Sequence, residues 1–150
     1  MNKLRGLMAL AASFLFCASA QAGNPFQPFV GSGKASGTIW LVGKPDAEST
    51  KCSRSARTLG DDRLSFTLSC SGGKSFGLSC SFRTKGTRVS GSCSASLASL
   101  SGGGSLRGKM IFLSMTSNLG SHLKMVITPS SLSLKSPDAK YVKSLRISGL

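Results

Sequence analysis

The sequence predicts an all-β protein: an antiparallel meander of about eight short strands closing into a barrel-like shape, with a two-sheet sandwich as the alternative. Three observations carry this. From Gly37 onward apolar residues recur with period two, the runs are short and punctuated by Gly, Ser, Asn, Asp and Pro, and no segment has the apolar 3.6 periodicity and length of a helix. Closure is preferred because it removes exposed strand edges.

Taken in order, Met1 to Ala22 reads as a cleaved secretory leader. Lys3 and Arg5 form a positive start, Leu7 to Phe16 an apolar centre, and Ala20-Gln21-Ala22 a small-x-small cleavage site. The apolar stretch is shorter than the ~20 residues a spanning helix needs, so no transmembrane anchor is expected. Phe16 ahead of Cys17 speaks against a lipoprotein site. The product is expected to be exported, either periplasmic or extracellular. Residues 23–36 read as an extended arm whose Phe26 and Phe29 either dock on the barrel or stay mobile, and residues 37–150 as a single β domain.

Within that domain the expected strands are Thr38 to Val42, Thr50 to Thr58, Leu64 to Cys70, Phe76 to Phe82, Val89 to Leu97, Ser105 to Met115, His122 to Ile127, Ser131 to Lys135 and Tyr141 to Ser148. In the third, Leu64, Phe66, Leu68 and Cys70 alternate with Ser65, Thr67 and Ser69, giving one greasy and one hydroxyl face. Turn chemistry falls at Gly60-Asp61-Asp62, Ser71-Gly72-Gly73-Lys74, Lys85-Gly86-Thr87, Gly102-Gly103-Gly104 and Ser117-Asn118-Leu119-Gly120. Such short connections favour pairing of neighbours in sequence.

Loss of the leader removes Cys17 and leaves Cys52, Cys70, Cys80 and Cys93, an even set in an exported chain. Opposed residues in a hairpin sit equally far from its turn. Cys52 and Cys70 are equidistant from Asp61, and Cys80 and Cys93 flank Gly86-Thr87 symmetrically, so the expected bridges are Cys52 with Cys70 and Cys80 with Cys93. A zinc site built from the four cysteines is disfavoured, because no Cys-x-x-Cys element is present and His122 is the only imidazole. No metal and no cofactor are expected.

The formal net charge is +14, of which the leader holds only Lys3 and Arg5. In a meander the turns at Asp61 and Gly86 lie at the same end, which gathers Arg57, Arg63, Arg83, Lys85 and Arg88 into a basic rim partly neutralised by Asp61 and Asp62. Lys135, Lys140, Lys143 and Arg146 form a second basic stretch. Such charge attracts an anionic polymer or lipid head group without sequence selectivity; the bland alternative is that it merely solubilises a serine-rich surface. Phe66, Phe76 and Phe82 share a face with leucines and cysteines, so they read as core and not as a stacking platform for specific nucleic-acid binding.

Catalytic constellations are missing. The five acidic residues, Asp46, Glu48, Asp61, Asp62 and Asp138, and the single His122 form no recognisable motif, no Gly-x-Ser-x-Gly elbow precedes a helix, and Gly102-Gly103-Gly104 lacks the Lys-Ser/Thr of a phosphate loop. The stretch Gly31 to Leu41, Cys52, Leu68-Ser69-Cys70 and Val89-Ser90-Gly91-Ser92 resembles small exported Gly/Ser-rich β proteins of Gram-negative bacteria. That resemblance implies the fold and carries over no functional residue; its members have Trp where Cys93 stands, so it supports the first bridge only. The expected function is a non-enzymatic periplasmic or secreted binding module with a basic rim for an anionic or amphipathic envelope ligand. The alternative is a structural or interaction protein, such as an inhibitor or surface factor.

Overall fold

The computed structural model describes residues 23–72 and 75–149; the expected leader lies outside the described residues. The chain forms β1 (Gly31–Leu41), β2 (Glu48–Leu59), β3 (Arg63–Ser71), β4 (Phe76–Lys85), β5 (Arg88–Ala95), β6 (Ser99–Arg107), β7 (Met110–Ser117), β8 (His122–Thr128), β9 (Ser131–Lys135) and β10 (Val142–Ser148). Each strand pairs antiparallel with the next, and β1 pairs with β10, so the sheet is a closed barrel and not a sandwich. Alternation does what period two requires. Leu64, Phe66 and Leu68 are buried inside the barrel while Arg63, Thr67 and Ser69 face out.

The strand total exceeds the expected eight or so for an identifiable reason. Gly102-Gly103-Gly104, read as a turn, lies in the middle of β6, and the run Ser105 to Met115, read as one strand, is divided by the Gly108-Lys109 turn. At Gly102 and Gly104 a Cβ would run into the Ser114 and Phe112 carbonyls of β7, so these glycines serve close approach of two strands. Gly108, with φ +58°, is the one that makes the turn.

Both disulfides form as expected. Cys52 and Cys70 are opposed across β2 and β3, Cys80 and Cys93 across β4 and β5, each pair with Cα atoms 4.0 Å apart. All four sulfur side chains are buried within the barrel.

The expected arm divides into two parts. Gly31 to Ser36 extend β1 down to pair with β2, a stretch whose Gly and Ser residues give no apolar alternation to announce a strand. Ahead of it, a 3-10 turn at Gln27–Phe29 closes one end of the barrel. Phe26 and Phe29 are wholly buried there, their rings edge to face at 6.4 Å between centroids. Asn24 fastens the plug: its Nδ2 donates to the Gly60 and Arg63 carbonyls at 3.0 and 3.2 Å, and its Oδ1 accepts from the Phe26 amide. Arg54, an inward cation of β2, donates from Nη1 to the Phe29 carbonyl at 3.3 Å; burial pushes its guanidinium pKa down, and its Nε has no hydrogen-bond partner among the described residues.

Truncating a buried aromatic removes both its transfer free energy and the packing around it. Phe29→Ala is therefore expected to cost about 3–5 kcal/mol of unfolding free energy, read as a lower urea midpoint. Gln27→Ala, on the exposed side of the same turn, should change that midpoint by roughly ±0.5 kcal/mol or less.

Candidate functional site

With the Phe26–Phe29 plug at one end, the barrel interior communicates with solvent at the other. There the β1–β2, β5–β6, β7–β8 and β9–β10 loops surround an apolar cavity of about 220 Å³. Ile39, Leu41, Phe76, Leu100, Leu123 and Leu134 form its wall, and Lys44, Leu97, Lys140 and Tyr141 stand at its mouth. The cavity exists because the inward positions near this end are mid-sized aliphatics and small residues such as Ala95 and Ser117. Toward the plug, Phe66, Phe82 and the plug's own phenyl rings fill the bore.

The mouth is held by one polar cluster. Asp138, in the β9–β10 loop, accepts from the His122 amide at 2.8 Å through Oδ1 and from the His122 ring at 2.9 Å through Oδ2. A carboxylate only accepts, which places the ring proton on Nδ1. Ser136 Oγ donates to the His122 carbonyl at 2.7 Å, and Ser121 Oγ donates to the Asp138 carbonyl at 3.2 Å. Ser121 Oγ thus serves a backbone carbonyl, Ser136 Oγ also lies 3.5 Å from Asp138 Oδ1, and the cluster ties the start of β8 to the loop bordering the cavity. On the outer wall beside it, Trp40 donates from Nε1 to the Lys44 carbonyl at 2.9 Å, and Lys143 Nζ lies 4.6 Å from the Trp40 ring centroid.

Arg57, Arg63, Arg83, Lys85 and Arg88 do gather at one end, but it is the plugged end. They point outward and are exposed. The basic rim therefore stands at the opposite end of the barrel from the cavity, and the two do not form one site. The structure adds Arg107 and Lys109 to this group; the Arg107-Gly108-Lys109 turn is the signal for them, and a single strand over Ser105 to Met115 conceals it. Of the nearby carboxylates, Asp62 pairs with Arg83 Nε at 3.6 Å, both side chains about half exposed. Lys135, Lys140, Lys143 and Arg146 lie toward the other side of the barrel wall, spread over β9, β10 and their loop. Among the described residues no three His, Cys, Asp or Glu side chains meet in a group that would hold a metal ion.

Hydrogen bonds from the His122 ring and amide hold the Asp138 carboxyl below its ordinary value of 3.8. A depressed folded-state pKa stabilises the mouth above the unfolded value and loses that contribution as pH falls through the folded one. The protection of the His122 amide, taken relative to its intrinsic exchange rate at each pH, should accordingly fall on acidification below about pH 4. Asp138→Ala, which removes the acceptor, should give fast exchange already at pH 7. Exchange at His122 that is equally slow in this variant would contradict the assigned role.

No family model matches the chain, and no curated protein does. Among solved structures it is similar to the crystal structure of Rv2717c from M. tuberculosis, with a TM-score of 0.60 and 12% sequence identity over 83% of this chain and 94% of that one. At that identity the likeness is one of fold alone, over most of both chains.

Proposed function

We propose that the protein is a non-enzymatic binding module, acting outside the cytoplasm, that takes up the apolar part of a small amphipathic molecule through the open end of its barrel. The cavity of about 220 Å³ carries this reading. Apolar cavities of ~150 Å³ in other proteins stay dry and accept benzene, so a wall of Ile, Leu and Phe side chains favours a short acyl chain or a single ring over water. Lys44 and Lys140 at the mouth favour a negative head group left in solvent. Two buried disulfides fit an oxidising compartment. The bonding of Ser121, Ser136 and Asp138 around His122 supports a structural cluster over a catalytic one.

The test uses 1-anilinonaphthalene-8-sulfonate with decanoate and decanol as competitors. The dye should bind saturably at one site and be displaced by both. Ala95→Phe, which fills the cavity from its wall, should weaken binding at least ten-fold while leaving the thermal midpoint within a few degrees. Lys44→Glu combined with Lys140→Glu should weaken decanoate several-fold and leave decanol unchanged. Saturable dye binding of equal affinity in Ala95→Phe would exclude the cavity as the site.

A further inference from the structure

The outer wall of β2 to β7 carries a pattern independent of the cavity. Following the register across strands, Ser55, Thr67, Ser79, Ser94 and Ser99 are mutually opposed on β2 through β6. One step nearer the plugged end, Ser65, Ser81, Ser92, Ser101 and Thr116 are opposed on β3 through β7. Two adjacent rows of hydroxyls thus cross five strands each, spaced by the ~4.8 Å between strands. Of these ten side chains, Thr67 donates within the protein, to the Ser55 carbonyl at 3.3 Å. No side-chain hydrogen bond within the protein engages the other nine hydroxyls among the described residues.

Bordering this array is an unbroken run of cations. Arg57 is the diagonal neighbour of Arg63, because Arg57 opposes Ser65. Arg63 directly opposes Arg83, and Lys85, two residues on and on the same face, directly opposes Arg88. Arg88 opposes Ser105, which makes Arg107 its diagonal neighbour. Like charges directly opposed on neighbouring strands destabilise a sheet, and here two such pairs are contiguous, relieved by one ion pair at Asp62. An arrangement that costs stability in the free protein gains it when a chain of anions lies along it.

From this geometry we infer that the outer wall of β2 to β7 is a docking face for an acidic polysaccharide. Its charged groups lie along the Arg57 to Arg107 run, and its hydroxyls exchange hydrogen bonds with the serine and threonine rows. A flat anionic bilayer fits less well: laid across the plugged end it would meet Asp61 and Asp62 together with Lys109, and it would leave the hydroxyl rows, which lie further along the side wall, without a partner. A nucleic acid fits less well too: among the described residues of this face Phe112, opposite Ser105 on β7, is the one exposed aromatic, and a lone ring at the edge of the cation run does not make a series of stacking platforms.

The experiment measures affinity for heparin and for alginate oligomers, at several salt concentrations, with a duplex DNA of matched charge and neutral dextran as comparisons. Arg63→Gln with Arg83→Gln and Arg88→Gln should lower affinity for both acidic polysaccharides at least ten-fold. The variant should remain folded, since it relieves the opposed like charges. Ser81→Asp with Ser92→Asp should also weaken binding, and saturating heparin should raise the wild-type thermal midpoint more than that of the arginine variant. Lys124→Gln with Lys135→Gln and Arg146→Gln, an equal charge loss on β8 to β10, should leave affinity within two-fold. Equal losses for the two triple variants would overturn the proposal in favour of diffuse charge, as would tighter binding of the DNA or of neutral dextran. The cavity is untouched by these substitutions, so dye binding remains a separate readout.

Discussion

Everything in this molecule depends on the pairing of β1 with β10. Without it the meander would be an open sheet whose first and last strands expose unpaired backbone, and its inward side chains would face no common interior. The pairing is intimate at Gly37, opposite Ile147, where any Cβ would run into the Arg146 carbonyl. It ends in a register shift between Trp40 and Leu41, beside the mouth. Closure converts a period-two sequence into an inside and an outside. The Phe26–Phe29 plug then makes the two ends unequal, so solvent and any guest reach the interior from one direction.

Much of this was legible in the chain. The disulfides followed from turn symmetry alone, because a hairpin's register is set by its turn and the Gly60-Asp61-Asp62 and Gly86-Thr87 turns carry unmistakable residues. The basic group was read from the same parity argument. What failed was the meaning of glycine. Gly102-Gly103-Gly104 and Gly108 look alike in sequence, yet the first permits two strands to press together and the second reverses the chain. Local composition does not separate these uses, since the deciding atoms, the Phe112 and Ser114 carbonyls, lie across a hairpin whose turn a single strand over Ser105 to Met115 conceals. The cavity was unreadable for a related reason: it reflects how inward volumes sum over six or more strands at one level, and Phe26 and Phe29 fill the other end from outside the sheet altogether.

The inner and outer faces of such a wall are chemically independent, and the sequence exploits this. On β3, Leu64, Phe66, Leu68 and Cys70 commit the inside to packing while Ser65, Thr67 and Ser69 leave the outside uniformly hydroxylic. The serine-rich composition is then not a sign of disorder but the outer half of a strand code. Long apolar side chains exposed around the mouth, Leu97 at 64% and Tyr141 at 50% among them, mark where that code yields to a surface of different character.

The position of the covalent bonds bears on how the outer charge is tolerated. Arg63 and Arg83 repel across β3 and β4, a pair of strands with no disulfide between them. Yet β3 is bridged to β2 by Cys52–Cys70, and β4 to β5 by Cys80–Cys93, so the repelling pair lies between two stapled hairpins. Each bridge closes a loop of fewer than twenty residues and is worth on the order of 3 kcal/mol, more than the roughly 0.2–1 kcal/mol scale of a cross-strand pair. Bracing of that size lets two hairpins carry an unfavourable row of cations in register without opening. Sulfur inside the barrel and guanidinium outside it are, on this view, two halves of one arrangement.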